Sequence, residues 1–271
     1  MKKISLKSRS YLGLLITLLA LIAVMPFMEA GYRLLDNLIV SIFFLFFLIS
    51  SLKTISTRGI TPEKKYTKWL VWVVALIAFL SDITGSILHS LMRRGKGAGL
   101  TDLLFDLPTI ISLFGYSLLI LFLIFFIIKD LFSGQKVTAD KIYGAAVSYL
   151  LLGVMWTCLY AAVFIINPDS IIKANGTPVD IFSEIQYFSF TTLCSLGYGD
   201  IIPNNKLTMV LSNLEVIVGS LYLAILVARL VGLYTAQASR EKFNVALREL
   251  EKASAETREE FETIEKELHK K

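Results

Sequence analysis

The sequence predicts an all-helical (all-α) membrane protein with six transmembrane helices, a re-entrant segment between the fifth and sixth, and a charged C-terminal helix outside the membrane. Three observations predict it. The 271 residues are 55% apolar and only 18% charged, with a mean hydropathy of +0.66, against about 25% charged in ordinary soluble domains. Windows of about 20 residues with almost no charge, the length that crosses a hydrocarbon core, recur along the chain. Charge is also segregated: 17 of the 49 charged residues fall in 240–271, leaving a net +6 on the body and −1 on the tail.

The first predicted span is 11–28, uncharged and preceded by Lys2, Lys3, Lys7 and Arg9. A cleaved signal peptide is the rival reading of this stretch, given the basic start and the small residue Ala30. The second is 34–52, with Asp36 at its start, and the third is 69–91, which holds Asp82 and His89. The fourth, 107–128, and the fifth, 142–168, carry no charge, and the sixth, 207–228, carries one acid, Glu215. Between the last two, 169–206 is too long for a tight turn, and its apolar-aromatic stretch 181–193 is too short to cross, which predicts a re-entrant helix. Ser183 with Gln186 three residues on fits a capping box, and Asp180 is an alternative cap.

Placing the N-terminus in the cytoplasm puts 12 Lys and Arg inside and six outside, at Arg33, Arg93, Arg94, Lys96, Lys173 and Lys206. The positive-inside rule then sets both termini in the cytoplasm and the re-entrant segment on the outer face. Basic residues in loops between spans orient a membrane protein, and no clustered basic face calls for a nucleic-acid partner. The predicted partners are the lipid bilayer and further copies of the chain. Cys158 and Cys194 are too few for a disulfide scaffold. No metalloprotease helix, P-loop or nucleophile elbow occurs, so neither an enzyme nor a cofactor is predicted, and Asn175-Gly176-Thr177 is at most a glycosylation sequon in an outer loop.

The informative stretch is Thr191, Thr192, Leu193, Cys194, Ser195, Leu196, Gly197, Tyr198, Gly199, Asp200. It resembles the selectivity filter of the tetrameric potassium channels, a pore-loop family with the usual form T-x-x-T-V-G-Y-G-D, here of the bacterial six-transmembrane type without voltage-sensor arginines. Leu196 stands where valine is usual and Cys194 where threonine is common. The resemblance spans 142–234 and implies that the carbonyls of Ser195, Leu196, Gly197 and Tyr198 line a path for K+, with Gly199 completing the strand and the Ser195 hydroxyl closing the innermost site. Rings of backbone carbonyls replace the hydration shell of a dehydrating ion, and glycine permits the required backbone. It further implies support from Thr191, Thr192 and Asp200, and from Tyr187 and Phe188, on which Tyr198 should pack. Altered rigidity, not lost selectivity, is expected from Leu196.

One chain supplies one such strand and no repeat occurs, so a closed ring needs four copies, a homotetramer. Gly219 lies at the offset of the family's gating hinge; close helix packing through a small residue is the other reading. Glu215, one turn earlier, either braces the re-entrant helix by hydrogen bonds or faces the cavity in a cation-attracting ring. The fourth span lacks the basic stripe of a voltage sensor, which predicts a passive, non-voltage-gated channel; the alternatives are a non-selective cation channel of the same architecture or a cation transporter with a pore-like loop, against which the lack of repeated halves counts. Asp82 reads as a remnant of a sensor's acidic residues or as a satisfied polar group. The domains are then a four-helix transmembrane domain (1–133), a pore domain (134–235) and a cytoplasmic helix (236–271). In the last, Phe243, Leu247, Leu250, Phe261, Ile264 and Leu268 keep one heptad register, as in a four-stranded coiled coil, the alternative being a helix on the membrane surface. The expected location is the inner (plasma) membrane.

Overall fold

The computed structural model describes residues 10–24, 65–91, 100–133, 138–179 and 182–268. The predicted second span, the loop carrying Arg93, Arg94 and Lys96, and Asp180 lie outside these residues. The described elements are α1 (Ser10–Val24), α2 (Lys65–Leu91), α3 (Leu100–Phe132), α4 (Ala139–Ile166), a 3-10 turn (Pro168–Ser170), β1 (Ile171–Lys173), α5 (Phe182–Leu193), β2 (Ile201–Pro203) and α6 (Lys206–Leu268). Of the described residues, those up to Leu226 form one compact unit and those from Val227 a second.

Among the described residues three stretches are long and apolar enough to cross a membrane: Asp106–Phe132, Ala139–Ile166 and Lys206–Glu259. They contain the predicted fourth and sixth spans and all of the fifth except its last two residues, 167 and 168, which lie beyond the helix end. The first and third predicted spans are represented by the shorter apolar stretches Tyr11–Ala23 and Trp72–Gly85. In α1 the buried residues are Tyr11, Leu14, Leu18 and Leu21, a 3-4-3 spacing that puts one stripe of a helix against its neighbour. That neighbour is α4, to whose side α1 packs, while α3 packs between α2 and α4. Tyr11 anchors the contact. Its backbone N–H donates to Asp140 Oδ1 at 3.2 Å and its hydroxyl to Asp130 Oδ2 at 3.0 Å, so one residue reaches both sides of the connection between α3 and α4.

Helix α4 starts three residues earlier than the apolar window does, because Thr138 caps it: its Oγ1 accepts from Lys141 N at 3.4 Å. A threonine here occupies an orphan N–H of the first turn and allows the polar Asp140 and Lys141 to be helical. It ends at Asn167, whose side chain accepts from Asp169 N at 3.1 Å and opens the 3-10 turn. From there the chain enters a small antiparallel ribbon, β1 with β2, in the register Ile171–Pro203, Ile172–Ile202 and Lys173–Ile201. Helix α5 begins at Phe182, so Ser183 lies inside its first turn and not at the cap.

Helix α6 runs without interruption for 63 residues. Sequence reading placed a boundary near 235, where the charge rises. Charge does not end a helix: residues 233–268 contain neither glycine nor proline and are rich in Ala, Glu, Lys and Arg, all good helix formers.

Candidate functional site

The site is built around α5 and the loop that follows it. Helix α5 packs against α4, and two glycines of its neighbours allow close approach. A Cβ added at Gly153 of α4 would lie 2.7 Å from the Phe190 ring, and one at Gly219 of α6 would lie 2.6 Å from the carbonyl oxygen of Leu193. The Gly219 contact gives a packing reason for a glycine inside α6, where it costs about 1 kcal/mol relative to alanine, and the helix continues through it.

Between these contacts lies a polar cluster. Glu215 is fully buried; its Oε2 accepts from the Tyr160 hydroxyl at 2.7 Å and its Oε1 from the Ser189 hydroxyl at 2.7 Å. Ser189 Oγ is also 3.0 Å from the carbonyl oxygen of Gly153. One carboxylate thus joins α4, α5 and α6. A carboxyl group removed from water needs such partners. A second seam lies toward the C-terminal end of α5. The Tyr149 hydroxyl donates to Leu193 O at 3.3 Å and contacts Cys194 Sγ at 3.6 Å, and its ring stacks on Tyr222 with centroids 5.7 Å apart. Tyr222 in turn donates to Ala145 O at 2.8 Å and lies 2.5 Å from Ser148 Oγ.

The loop turns directly off the last carbonyls of α5. Ser195 N donates to Thr192 O at 2.9 Å, while Leu196 N at 2.8 Å and Gly197 N at 3.4 Å both donate to Thr191 O. The Thr191 hydroxyl donates to Phe188 O at 3.0 Å. Ser195 has φ +58°, Gly197 +54° and Gly199 +79°, so every second residue is left-handed and Leu196 and Tyr198 between them are not. In an ordinary strand successive carbonyls point to opposite sides; alternating the sign of φ turns them toward one side. The glycines adopt this freely, whereas Ser195 does so at a cost of about 1–2 kcal/mol. That strained serine was not anticipated from sequence.

With the amide groups of 195–197 engaged behind the loop, the carbonyls of Ser195, Leu196, Gly197 and Tyr198 accept no backbone hydrogen bond among the described residues. All of 194–200 is exposed on a face this chain does not cover. Such a row of uncompensated oxygens has the chemistry to replace part of a cation's hydration shell.

The aromatic residues divide differently from expectation. Tyr198 stacks on Tyr187, with centroids 6.5 Å apart and planes 5° from parallel. Phe188 turns the other way, into the core, where it meets Tyr160 edge to face at 5.1 Å. Residues 187 and 188 are neighbours on a helix, about 100° apart, so they cannot share one target. Asp200 holds the far end: its backbone oxygen accepts from Ala174 N at 2.8 Å and its Oδ1 from Ile201 N at 3.1 Å.

Sequence reasoning missed Tyr160, Ser189, Gly153 and Tyr149. A tyrosine within an apolar span is a usable signal, since its hydroxyl needs a partner there. Which acid it meets depends on how the helices face one another.

A short helix followed by a loop of alternating handedness and a long apolar helix defines the pore unit of an ion channel. Residues 151–236 match the family model described as "Ion channel". The chain is 30% identical over 103 residues to Two-pore potassium channel 3 of Arabidopsis thaliana, covering 38% of this chain and 21% of that protein. It is 32% identical over 99 residues to Two-pore potassium channel 2 of the same plant, 36% of this chain and 20% of that protein. The matched stretch is therefore about a fifth of either relative's length. No solved structure matches the chain. Over 151–236, then, the chain is similar to the ion-channel family model, and over about a hundred residues it is similar to two-pore potassium channels.

Proposed function

We propose that the protein is one subunit of a homotetrameric potassium-selective channel of the inner (plasma) membrane, conducting K+ passively and without voltage gating. In this reading 195–199 is the selectivity filter, with K+ held by the carbonyls of Ser195, Leu196, Gly197 and Tyr198, and both termini lie in the cytoplasm. The observation that carries it is the alternating left-handed backbone at Ser195, Gly197 and Gly199, with the carbonyls of 195–198 accepting no backbone hydrogen bond among the described residues. Thr191, Thr192, Tyr187 and Asp200 support the loop through the contacts described above, and Phe188 supports it indirectly, by packing α5 on α4. Glu215 braces α5, because its carboxylate is spent on Ser189 and Tyr160 and is not offered to a cavity. Gly219 serves close packing of α6 on Leu193, which makes a hinge unnecessary to explain it.

The exposed apolar residues of α6 between Leu207 and Ile225, including Val210, Leu214, Ile217 and Leu221, fit burial against lipid and neighbouring subunits. The C-terminus of α5 carries about half a negative charge, and four of them converging would stabilise a cation ahead of the filter. The test is the reversal potential of reconstituted protein with K+ on one side and Na+ on the other. At equal concentrations a reversal potential displaced far from zero, in the direction of K+ preference, is expected; a value near zero, meaning equal permeability of the two ions, would make this a non-selective cation channel of the same build.

A further inference from the structure

The 195–199 loop is held by its own chain in two different ways. Its inner end is bonded directly to α5, through the carbonyls of Thr191 and Thr192. Its outer end has no such bond: among the described residues, the N–H groups of Tyr198 and Gly199 donate to no backbone carbonyl. That end is held by Tyr187 of α5, whose ring stacks on Tyr198, and by the ribbon, where Ala174 N donates to Asp200 O at 2.8 Å and Ile201 pairs with Lys173.

The ribbon is itself tied back to α5. Lys173 Nζ is 3.0 Å from Glu184 Oε1, in the first turn of α5, with the two side chains 27% and 26% exposed. The backbone around Lys173 is over-determined. Its N–H donates to Thr177 O at 2.7 Å, its carbonyl accepts from Gly176 N at 2.8 Å, and β1 is flanked by β2 on one side and Pro178 on the other. A rigid strand end therefore presents an ammonium to a helix start, where a carboxylate is also favoured by the helix dipole. A closed circuit results: α5, the loop, β2, β1 and, through Lys173 and Glu184, α5 again.

We propose that Lys173 is a positioning residue for ion conduction, its ion pair with Glu184 locking the outer end of the 195–199 loop to the start of α5 and so setting how long the loop keeps its conducting geometry. The inference rests on the filter reading above. The pair touches no ion and leaves the carbonyl ladder itself unaltered, so it acts on the lifetime of the conducting state and not on ion preference. Half-shielded pairs of this kind are individually modest, yet four copies act on one ring.

The experiment compares wild type, Lys173→Gln, Glu184→Gln, the double glutamine variant and the exchanged pair Lys173→Glu with Glu184→Lys. Purified tetramers are reconstituted in planar bilayers under sustained K+ efflux, and amide hydrogen exchange of 198–201 is followed by mass spectrometry on the same samples. Each single variant should shorten the time constant of current decay by about two- to fivefold and speed exchange at 198–201, with reversal potential unchanged. The double variant should fall short of the product of the two single effects, since both remove the interaction they share, and the exchanged pair should recover most of the loss. Unchanged exchange at 198–201 in the single variants overturns the proposal, and so does a double variant whose effect is the product of the two. A wild type that fails to discriminate K+ from Na+ sinks the filter reading instead, and the exchange measurement still decides the role of Lys173 without any current.

Discussion

Glu215 of α6 and Ser189 of α5 meet at 2.7 Å in a fully buried contact, and the second oxygen of the same carboxylate takes the Tyr160 hydroxyl of α4 at 2.7 Å. Three helices thus converge on one side chain behind the loop. Glu215→Ala leaves two buried hydroxyls without that partner, at about 1–3 kcal/mol each. It should sharply lower the melting temperature of the detergent-solubilised protein. Glu215→Gln still offers an oxygen to Tyr160 and should cost much less. A double-mutant cycle with Tyr160→Phe checks the pairing: the coupling between positions 160 and 215 is expected to reach about 1 kcal/mol or more, and additive effects would mean the two are not energetically linked.

Gly219 separates two readings of the inner helix by substitution. A Cβ there would be 2.6 Å from Leu193 O and 2.8 Å from Leu193 Cδ1, and the first of these is backbone that cannot swing aside. Gly219→Ala is expected to displace the end of α5, with loss of tetramer stability and of K+ flux together. Gly219→Pro should be at least as damaging. A proline variant that assembles well and rests open would instead restore the hinge, since a kink favours bending and does nothing for close packing.

The loop was legible in sequence because its chemistry is local: Gly197, Tyr198, Gly199 and Asp200 are consecutive, and two glycines in that setting announce their backbone. Helices α4 and α6 were legible because long apolar runs have few alternatives in a membrane. Glu215 stood out as an intramembrane acid, but its partners did not, since Ser189 and Tyr160 lie 26 and 55 residues away and are joined only by helix packing. The β1–β2 ribbon escaped notice for a different reason. Three-residue strands show too little alternation to be recognised, so Lys173 read only as one more outer charge.

The alternating backbone makes a sharp prediction at Gly199. Its φ is +79°, and a Cβ added there meets nothing within 4 Å of the chain. Any damage from Gly199→Ala must therefore come from the backbone, or from a neighbouring subunit, and not from crowding within the protomer. The left-handed penalty of about 1–2 kcal/mol applies in every copy. Conduction should fall by an order of magnitude or more, while the melting temperature drops only by the few degrees that this strain accounts for. Gly176, with φ +83° and equally open surroundings, is the comparison: Gly176→Ala carries the same strain in an outer turn that reaches the loop only through Lys173, so it should leave the unitary conductance near wild type and act at most on how long current lasts. Equal losses at both positions would show that the effect is general instability.

The final prediction concerns the charged end of α6. Phe243, Leu247 and Leu250 are exposed at 63%, 40% and 67% on a helix that continues without a break. Apolar side chains spaced 4 and 3 apart on an otherwise charged helix suit a seam with other copies. The neighbouring charges are mixed, and an acidic excess disfavours anionic lipid as the alternative cover. If four such helices pair, they tether the subunits at a high effective concentration, independently of the carbonyl ladder. Deleting 243–271 should then leave the reversal potential unchanged while weakening the solubilised tetramer, seen as smaller species by size-exclusion chromatography with light scattering. Polar Ser254 and Thr257 fall in the same register, so the stabilisation is confined to short apolar blocks and the truncated protein should still assemble at high concentration. A tetramer that resists dilution equally with and without the tail would assign these residues to a surface helix.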